Sequence, residues 1–550
     1  MADKMNIYIG ATAMRTCLGN KAETLAAMHE GRCGLQYNDA FGMYAGVCDA
    51  EILESYTRFE SMLIEQIEDV IRQSGITLSD DDVQLIISTT KGNVDLLAED
   101  CDNIPRRAFI YESAKIISQY FKCKNDPVVV SNACISGVSA FVVARDMMLS
   151  GRCKHVIVAG CDALSEFITT GFASFKSISA KPCRPYDAER DGLTLGEAAA
   201  AIVLTLAPTH DICLAGGAIT NDANHISGPS RTGDGLFYAI DSAMKEAGVS
   251  CDDIAFVNTH GTATRYNDEM ESKAVAWARL DNKPINSFKG YIGHTLGASG
   301  VVETILCVEQ LKRGSIFGTK GFVTTDVPHP MRLSAQEQNI DRYCCVKTAS
   351  GFGGCNAAIV LRQQATDNER LTIDDMQRES RVVAEYTLPQ SELPFAEFIR
   401  AEFKSLGESN MKFYKMSDMS KALYVAVERL LAMRGWDDVE TTRRAIVLSN
   451  SAASLDTDAA HQNILNQHNA EGTSPAVFVY TLPNVSAGEM CIRHKIQGDN
   501  TFFIENDTPS FAECYAHRLI ERNRADAVIT GWCEYLKGKW NIHVKLLMHN

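Results

Sequence analysis

Residues 128–149 read VVVSNACISGVSAFVVARDMML. A β-branched run stops at Ser131-Asn132-Ala133, a cysteine follows, and an apolar stretch with small residues at its start continues at helical spacing. A buried strand that turns into a helix at a thiol has two readings. A lone cysteine is commonly a small buried hydrophobe. A thiol at a helix N-terminus is also favoured as thiolate by the helix dipole and the free N–H groups there, which makes it a nucleophile. Its surroundings decide between the two.

Working outward, the first 205 or so residues alternate strand and helix signals. NIYIGATAM (6–14), VQLIISTT (83–90) and HVIVAGCDAL (155–164) read as buried strands, and EAAAAIVLTLA (197–207) closes the half. KAETLAAMHEG (21–31) and TRFESMLIEQIEDVIRQSG (57–75) have helical periodicity and end in glycine. Near-continuous apolar strands alternating with helices predict a mostly parallel or mixed sheet covered by helices. A second α/β half runs to residue 363, with a helix at 236–248, a strand entering a loop at 254–264 and a closing strand at 356–361. Residues 364–415 are more polar and read as a connector.

Then the first pattern returns. Residues 416–435 echo the helix at 57–75, and RAIVLSNSAASL (444–455) echoes residues 84–96. NRADAVITGWCEYL (523–536) aligns without gaps to GRCKHVIVAGCDAL (151–164), an offset of 372 residues from Gly151 to Asn523. The domains expected are therefore 1–207, 208–363, a connector 364–415, and an extra N-terminal-type half at 416–550. A repeat this long is a fold-level signal.

Composition narrows the function. Of 550 residues, 45% are hydrophobic and 22% charged, ordinary for a globular protein with a large core. A formal net charge of -16 argues against nucleic acid or anionic membrane as the main partner. The N-terminus has no signal-peptide apolar region, and no apolar run reaches membrane-span length. The 18 cysteines form no CxxC pair, so they are expected to be reduced thiols in a cytoplasmic protein.

Four islands carry chemistry: Cys134 in SNACISG, His260 in VNTHGTATRYND, Lys289 and His294 in NSFKGYIGHTLGASG, and Phe352 in SGFGGCNAA. With RPYDAERDGLTLGEAA (184–199) they make the first 363 residues resemble the β-ketoacyl-acyl carrier protein synthases, condensing enzymes of the thiolase-like fold, with two similar α/β halves layered αβαβα. The resemblance implies that Cys134 is the acyl-accepting nucleophile and that His260 and His294 stabilise the enolate formed as malonyl loses carbon dioxide. It implies further that backbone N–H groups of Cys134 and Phe352 form an oxyanion hole, and that Lys289, with Glu303, sets the electrostatics around the histidines. Thr262 and Thr264 match threonines that bind the phosphopantetheine arm, and Phe352 resembles the gate of the acyl pocket. Phe172 reads as a pocket wall or a plain core aromatic, and Glu303 alternatively as a helix-face carboxylate. No metal and no resident cofactor are implied, because phosphopantetheine arrives on the acyl carrier protein.

The chain departs from the family at Thr348-Ala349-Ser350, where Asn-Ser-Phe is usual, at Cys355 for threonine, and at Glu197-Ala198-Ala199. These bear on acyl specificity and gating. The extra half has no thiol elbow: the offset puts Asn506 opposite Cys134. Residues 375–550 resemble the truncated ketosynthase-like chain length factors, with a decayed duplication as the other reading. The expected function is decarboxylative Claisen condensation with malonyl-acyl carrier protein, in polyketide, aryl polyene or fatty acid elongation. Housekeeping synthesis with a structural appendage and a non-catalytic chain-length scaffold are the alternatives. The extra half is expected to complete a pseudo-dimer within one chain, or else a homodimer forms. Arg106, Arg107, Lys122 and Lys124 are candidates for carrier docking, or ordinary solvated charges.

Overall fold

The computed structural model describes residues 6–208, 210–364, 378–468 and 472–549. The first sheet contains β1 (Tyr8–Thr16), β2 (Val83–Ser88), β3 (Val128–Val130), β4 (His155–Asp162) and β5 (Ala198–Thr205). In space they run β3-β2-β4-β5-β1, with β2 parallel to β3 and β4, and β5 antiparallel to β4 and β1. The second sheet contains β6 (Ile212–Asn221), β7 (Ile254–Asn258), β8 (Pro284–Asn286), β9 (Cys344–Gly351) and β10 (Cys355–Gln363). It repeats that order as β8-β7-β9-β10-β6. The third contains β11 (Ser380–Thr387), β12 (Arg444–Asn450), β13 (Asn500–Ile504), β14 (Ala527–Leu536) and β15 (Lys539–His549), ordered β13-β12-β14-β15-β11.

Local sequence explains the elements. β2 is paired on both edges, and every residue of it is buried, which its uninterrupted apolar run requires. Helix α1 (Arg58–Ser74) starts at a capping box between Thr57 and Glu60 and stops at Gly75, whose φ of 69° only glycine adopts cheaply. It buries Phe59, Met62, Leu63, Ile67 and Val70. Between the first two sheets lie α2 (Ser136–Leu149) and α4 (Ser299–Arg313), each touching strands of both, while α1 and α3 (Asp234–Ala247) cover the outer faces. This is the five-layer αβαβα arrangement. α2 and α4 cross so closely that a Cβ on Gly137 would stand 2.8 Å from the Gly300 Cα.

The third sheet is covered by α5 (Asp418–Met433) and α6 (Ser510–Glu521). β14 begins at Ala527 and β4 at His155, which keeps the sequence offset of 372 residues. Residues 380–415, expected as a connector, are part of this unit. β11 is its first strand, paired with β15, and the helix Phe395–Ser405 packs on α5. β11 was hidden because it is an edge strand. Half its length meets water, so SRVVAEYT carries the polar residues of a linker. The rest of the expected connector, 365–377, lies outside the described residues.

β3 pairs antiparallel with β13, Val130 opposite Phe503 and Val129 opposite Ile504, so the first and third sheets join edge to edge. Buried charges cross the same seam. Asp146 on α2 pairs with Arg518 on α6, and Arg522 stands 3.6 Å away. Positions 146 and 518 are equivalent under the repeat offset, so the pair straddles a local two-fold axis. No described helix is long and apolar enough to cross a membrane.

Candidate active site

The quoted stretch builds a strained elbow. After β3, Ala133 takes φ 49°, residues 133–135 make one 3₁₀ turn, and α2 starts at Ser136. A non-glycine residue there costs on the order of 1–3 kcal/mol and persists only where its neighbours fix it. Ser136 Oγ accepts from the Asn132 N–H at 2.8 Å and donates to the Ala133 carbonyl at 2.6 Å. β13 of the third half clamps the entry: the Ser131 N–H donates to the Phe502 carbonyl at 3.0 Å, and Asn132 Nδ2 donates to the Asn500 carbonyl at 2.9 Å. The second half contains the same device, with Leu296 at φ 52° opening a 3₁₀ turn that leads into α4.

The two elbows face each other. Cys134 Sγ and one nitrogen each from His260 and His294 lie within 4.8 Å of one another, all three residues buried. His294 Nδ1 accepts from the Leu296 N–H at 3.3 Å, and Ser299 Oγ lies 3.1 Å from it. His260 Nδ1 faces Lys289 Nζ at 3.4 Å. An accepting Nδ1 leaves each ring with its proton on Nε2. Burial first, then the charge of Lys289, hold both histidines well below the usual imidazole range. Both are therefore neutral N–H donors at pH 7. A Cys/His/His set has donors a soft divalent ion could take.

Lys289 Nζ also donates to the His260 carbonyl at 2.6 Å and to Glu303 Oε1 at 2.7 Å. Glu303 is buried on α4, not displayed on a helix face. Burial pushes its carboxyl up, but Lys289 and Lys347 hold it below its ordinary value. Glu271 accepts the N–H groups of His260 and Gly261, each at 2.7 Å, and fixes the loop that carries the first histidine.

The thiol differs from the sequence expectation. Burial pushes Cys134 up to about 12, with Lys289 pulling the other way. Cys134 is a neutral thiol at rest because seven per cent exposure outweighs the helix N-terminus. Its thiolate fraction then grows about tenfold per pH unit. Iodoacetamide labelling of Cys134, followed by peptide mapping, is expected to be slow at pH 7 and to climb by that factor toward pH 9. The partly exposed Cys251 and Cys514 should label first at pH 7. Fast, pH-independent labelling of Cys134 would show that the helix N-terminus wins.

A cavity of about 220 Å³ opens onto Cys134, His260 and His294 and is lined by Phe172, Phe175, Thr262, Thr264, Asp222 and Phe352. The Thr262 and Thr264 hydroxyls are 2.9 Å apart. The Phe172 ring stacks on Phe352 at 5.9 Å and meets Phe478 of the third half edge-on at 5.4 Å, so it belongs to the cavity wall. Gly353 and Gly354, at φ 90° and 73°, need to be glycine, and they bring Gly351 to the elbow: a Cβ there would be 3.2 Å from the Cys134 nitrogen.

The third half reaches this loop as well. Asn484 Nδ2 donates to the Phe352 carbonyl at 2.8 Å, and a Cβ on Gly488 would collide with the Gly353 carbonyl at 2.6 Å. At its own counterpart of the elbow, no described residue from 499 to 522 has positive φ. Glu505 there accepts the Phe511 and Ala512 N–H groups at 2.8 and 3.2 Å, filling the helix N-terminus. Asn506 is exposed, on a groove of about 610 Å³ at the seam.

Sequence reasoning missed Lys347, Glu271, Asp222 and Asn484. A lysine inside the apolar run CCVKTAS was the available signal for the first. Asp222, which burial raises to about 7, accepts from the Ser230 N–H at 2.9 Å and from Asn356 Nδ2 at 2.8 Å, tying two loops across the cavity mouth. Of the candidate docking cations, Arg106 is paired with Glu112, Arg107 with Glu60 and Lys124 with Asp81.

Two facing elbows, a cysteine and two neutral histidines define a thiolase-like fold of the condensing-enzyme type. "Beta-ketoacyl synthase, N-terminal domain" matches residues 15–210 and "Beta-ketoacyl synthase, C-terminal domain" residues 212–322, together more than half of the sequence. The chain belongs to the β-ketoacyl synthase family. It is 30% identical over 259 residues to a putative mitochondrial 3-oxoacyl-[acyl-carrier-protein] synthase of Schizosaccharomyces pombe, covering 42% of this chain and 60% of that one. It is 33% identical over 250 residues to 3-oxoacyl-[acyl-carrier-protein] synthase 2 of Mycobacterium leprae, covering 42% and 59%. The match thus spans about 60% of the length of these curated relatives. Among solved structures it is similar to a ketosynthase, ApeO, in complex with its chain length factor, ApeC, from Xenorhabdus doucetiae, at 26% identity and TM-score 0.59, over 66% of this chain and 99% of that one. The fold also matches the PfaC keto synthase-chain length factor at TM-score 0.81 and 14% identity, over 99% of this chain and 78% of that one.

Proposed function

We propose that the protein is a β-ketoacyl-acyl carrier protein synthase that extends an enzyme-bound acyl group by two carbons from malonyl-acyl carrier protein. The observation that carries this is the convergence of Cys134 Sγ with two neutral histidine donors beside the Gly351-Phe352 backbone. Cys134 attacks the acyl thioester, the N–H groups of Cys134 and Phe352 hold the oxyanion, and the carrier thiol leaves with the proton. Malonyl-carrier then enters. Its carboxylate carbon–carbon bond breaks, carbon dioxide departs, and the electron pair becomes an enolate whose oxygen His260 and His294 hold through Nε2–H. The enolate carbon attacks the Cys134 thioester and expels the thiolate. The reaction needs no metal and no resident cofactor. Thr262 and Thr264 guide the phosphopantetheine arm at the mouth.

The carrier protein docks at that mouth in this reading. Its support is the exposed Lys176 and Arg265, each next to a cavity-lining residue, Arg265 also pairing with Asp326, and the exposed Arg231, two residues from Pro229 of the lining. The eighteen unpaired thiols fit a cytoplasmic setting. The third half acts as a built-in chain length factor: its Phe478 ring abuts Gly171 so tightly that a Cβ there would lie 2.0 Å from it. Phe478→Ala is expected to lengthen the product distribution by at least one two-carbon unit, read by mass spectrometry of carrier-bound products. Unchanged lengths would show that Phe478, behind Phe172, does not set the depth of the pocket. The functional reading itself is tested by supplying a panel of acyl-carrier thioesters with malonyl-carrier. New β-ketoacyl-carrier species support it, and their absence across the panel overturns it.

A further inference from the structure

Glu303 is held by two ammonium groups, one on each oxygen. Lys289 Nζ is 2.7 Å from Oε1 and Lys347 Nζ is 2.6 Å from Oε2. Both lysine side chains are fully buried and the carboxylate is two per cent exposed. Lys347 lies in the middle of β9, opposite Asn258 of β7 and Ile359 of β10, three residues upstream of Ser350 in the Gly-rich loop. It also donates to the Thr348 carbonyl.

One carboxylate neutralises one lysine. A second buried ammonium adds a desolvation cost of several kcal/mol that neutrality does not require. Charge retained at such a cost beside reacting groups points to a functional role. The groups facing the histidines are Lys289, Lys347 and Glu303 on one side, Glu271 at the His260 backbone, and Cys134 and Asp162 on the elbow side, Asp162 accepting the Gly297 N–H at 2.7 Å.

We propose that Lys347 is a second positioning residue of the condensing centre. By taking the far oxygen of Glu303 it leaves Lys289 with uncompensated positive charge at His260, so that both histidines stay neutral donors to the developing enolate. The proposal rests on the functional reading above. The charge of Lys347 also lowers both imidazoles, in accord with the geometry.

The test follows carbon dioxide release from malonyl-pantetheine between pH 5 and 8, and acylation of Cys134 by intact mass, in separate assays. Wild-type decarboxylation is expected to hold its rate as pH falls through the usual histidine value of about 6.5. Lys347→Met should slow decarboxylation by about ten- to a hundredfold, less than the 10²–10³ that losing a direct oxyanion donor costs. It should move the acid limb up by about one unit, toward the usual histidine value, and slow acylation less. Lys347→Met with Glu303→Gln restores a single net positive charge and should recover the acid limb and most of the rate. A merely structural lysine predicts instead that the two substitutions add their damage. An unshifted acid limb in Lys347→Met, or a double variant no better than the single, overturns the proposal. If Lys347→Met does not fold, the double variant and the wild-type profile decide, and a wild-type acid limb at about 6.5 or above overturns it. A wild type that neither decarboxylates nor condenses removes the functional reading itself, and this proposal with it.

Discussion

Cys134→Ala is expected to abolish condensation, a loss of roughly 10⁴-fold or more, while carbon dioxide release from malonyl thioester persists. The two steps use different atoms. Acyl transfer needs the sulfur, whereas decarboxylation needs only the Nε2–H groups of His260 and His294, whose protons are fixed by Lys289, Leu296 and Ser299. His294→Ala should do the reverse, lowering decarboxylation by about 10²–10³ and leaving acylation of Cys134 visible by mass. Both histidines titrate below their ordinary range, so they leave the neutral form only as pH falls and not as it rises; protonation keeps the Nε2–H but removes the Nδ1 acceptor that fixes each ring. Cys134→Ala condensing at the wild-type rate would show that another group is the nucleophile.

Removal of the third half, residues 378–550, is expected to leave no active monomer. It uncovers the β3 edge, a ready template for aggregation. It takes Arg518 and Arg522 away from Asp146, leaving that carboxylate without its partners on the uncovered face. It also releases both loops of the site, because Asn500 and Phe502 hold Asn132 and Ser131 while Asn484 holds Phe352. Light scattering and condensation assays on the intact and shortened chains check this. A shortened chain that stays monomeric and fully active would reduce the third half to an appendage.

The parts legible in the sequence were those whose signal is local. β2 and α1 carry their patterns and caps within the segment, and the elbow is marked by small residues around Cys134. The repeat showed in paired strands 372 residues apart. What escaped depends on neighbours distant in sequence. β11 reads as a linker because one edge meets water. The Cys134 thiol is raised by burial within walls contributed from the first two halves, which no stretch around residue 134 records. Asn484 gains its role only where its helix crosses the Gly-rich loop.

The Asp146–Arg518 pair also bears on how the molecule is inherited and assembled. Two separate copies of the first half, brought together around the same axis, would set Asp146 against Asp146, so self-pairing is penalised where the internal partner is rewarded. With the partner on the same chain, the ratio of the first two halves to the third is fixed at one to one by the gene. The effective concentration of the partner is set by the tether and not by expression level. Dilution, competing homologues and unequal synthesis, which can starve a two-subunit assembly, therefore have no purchase here. The cost is that the third half can no longer be exchanged, so a change in its contacts to the Gly-rich loop must arise by mutation within this one chain.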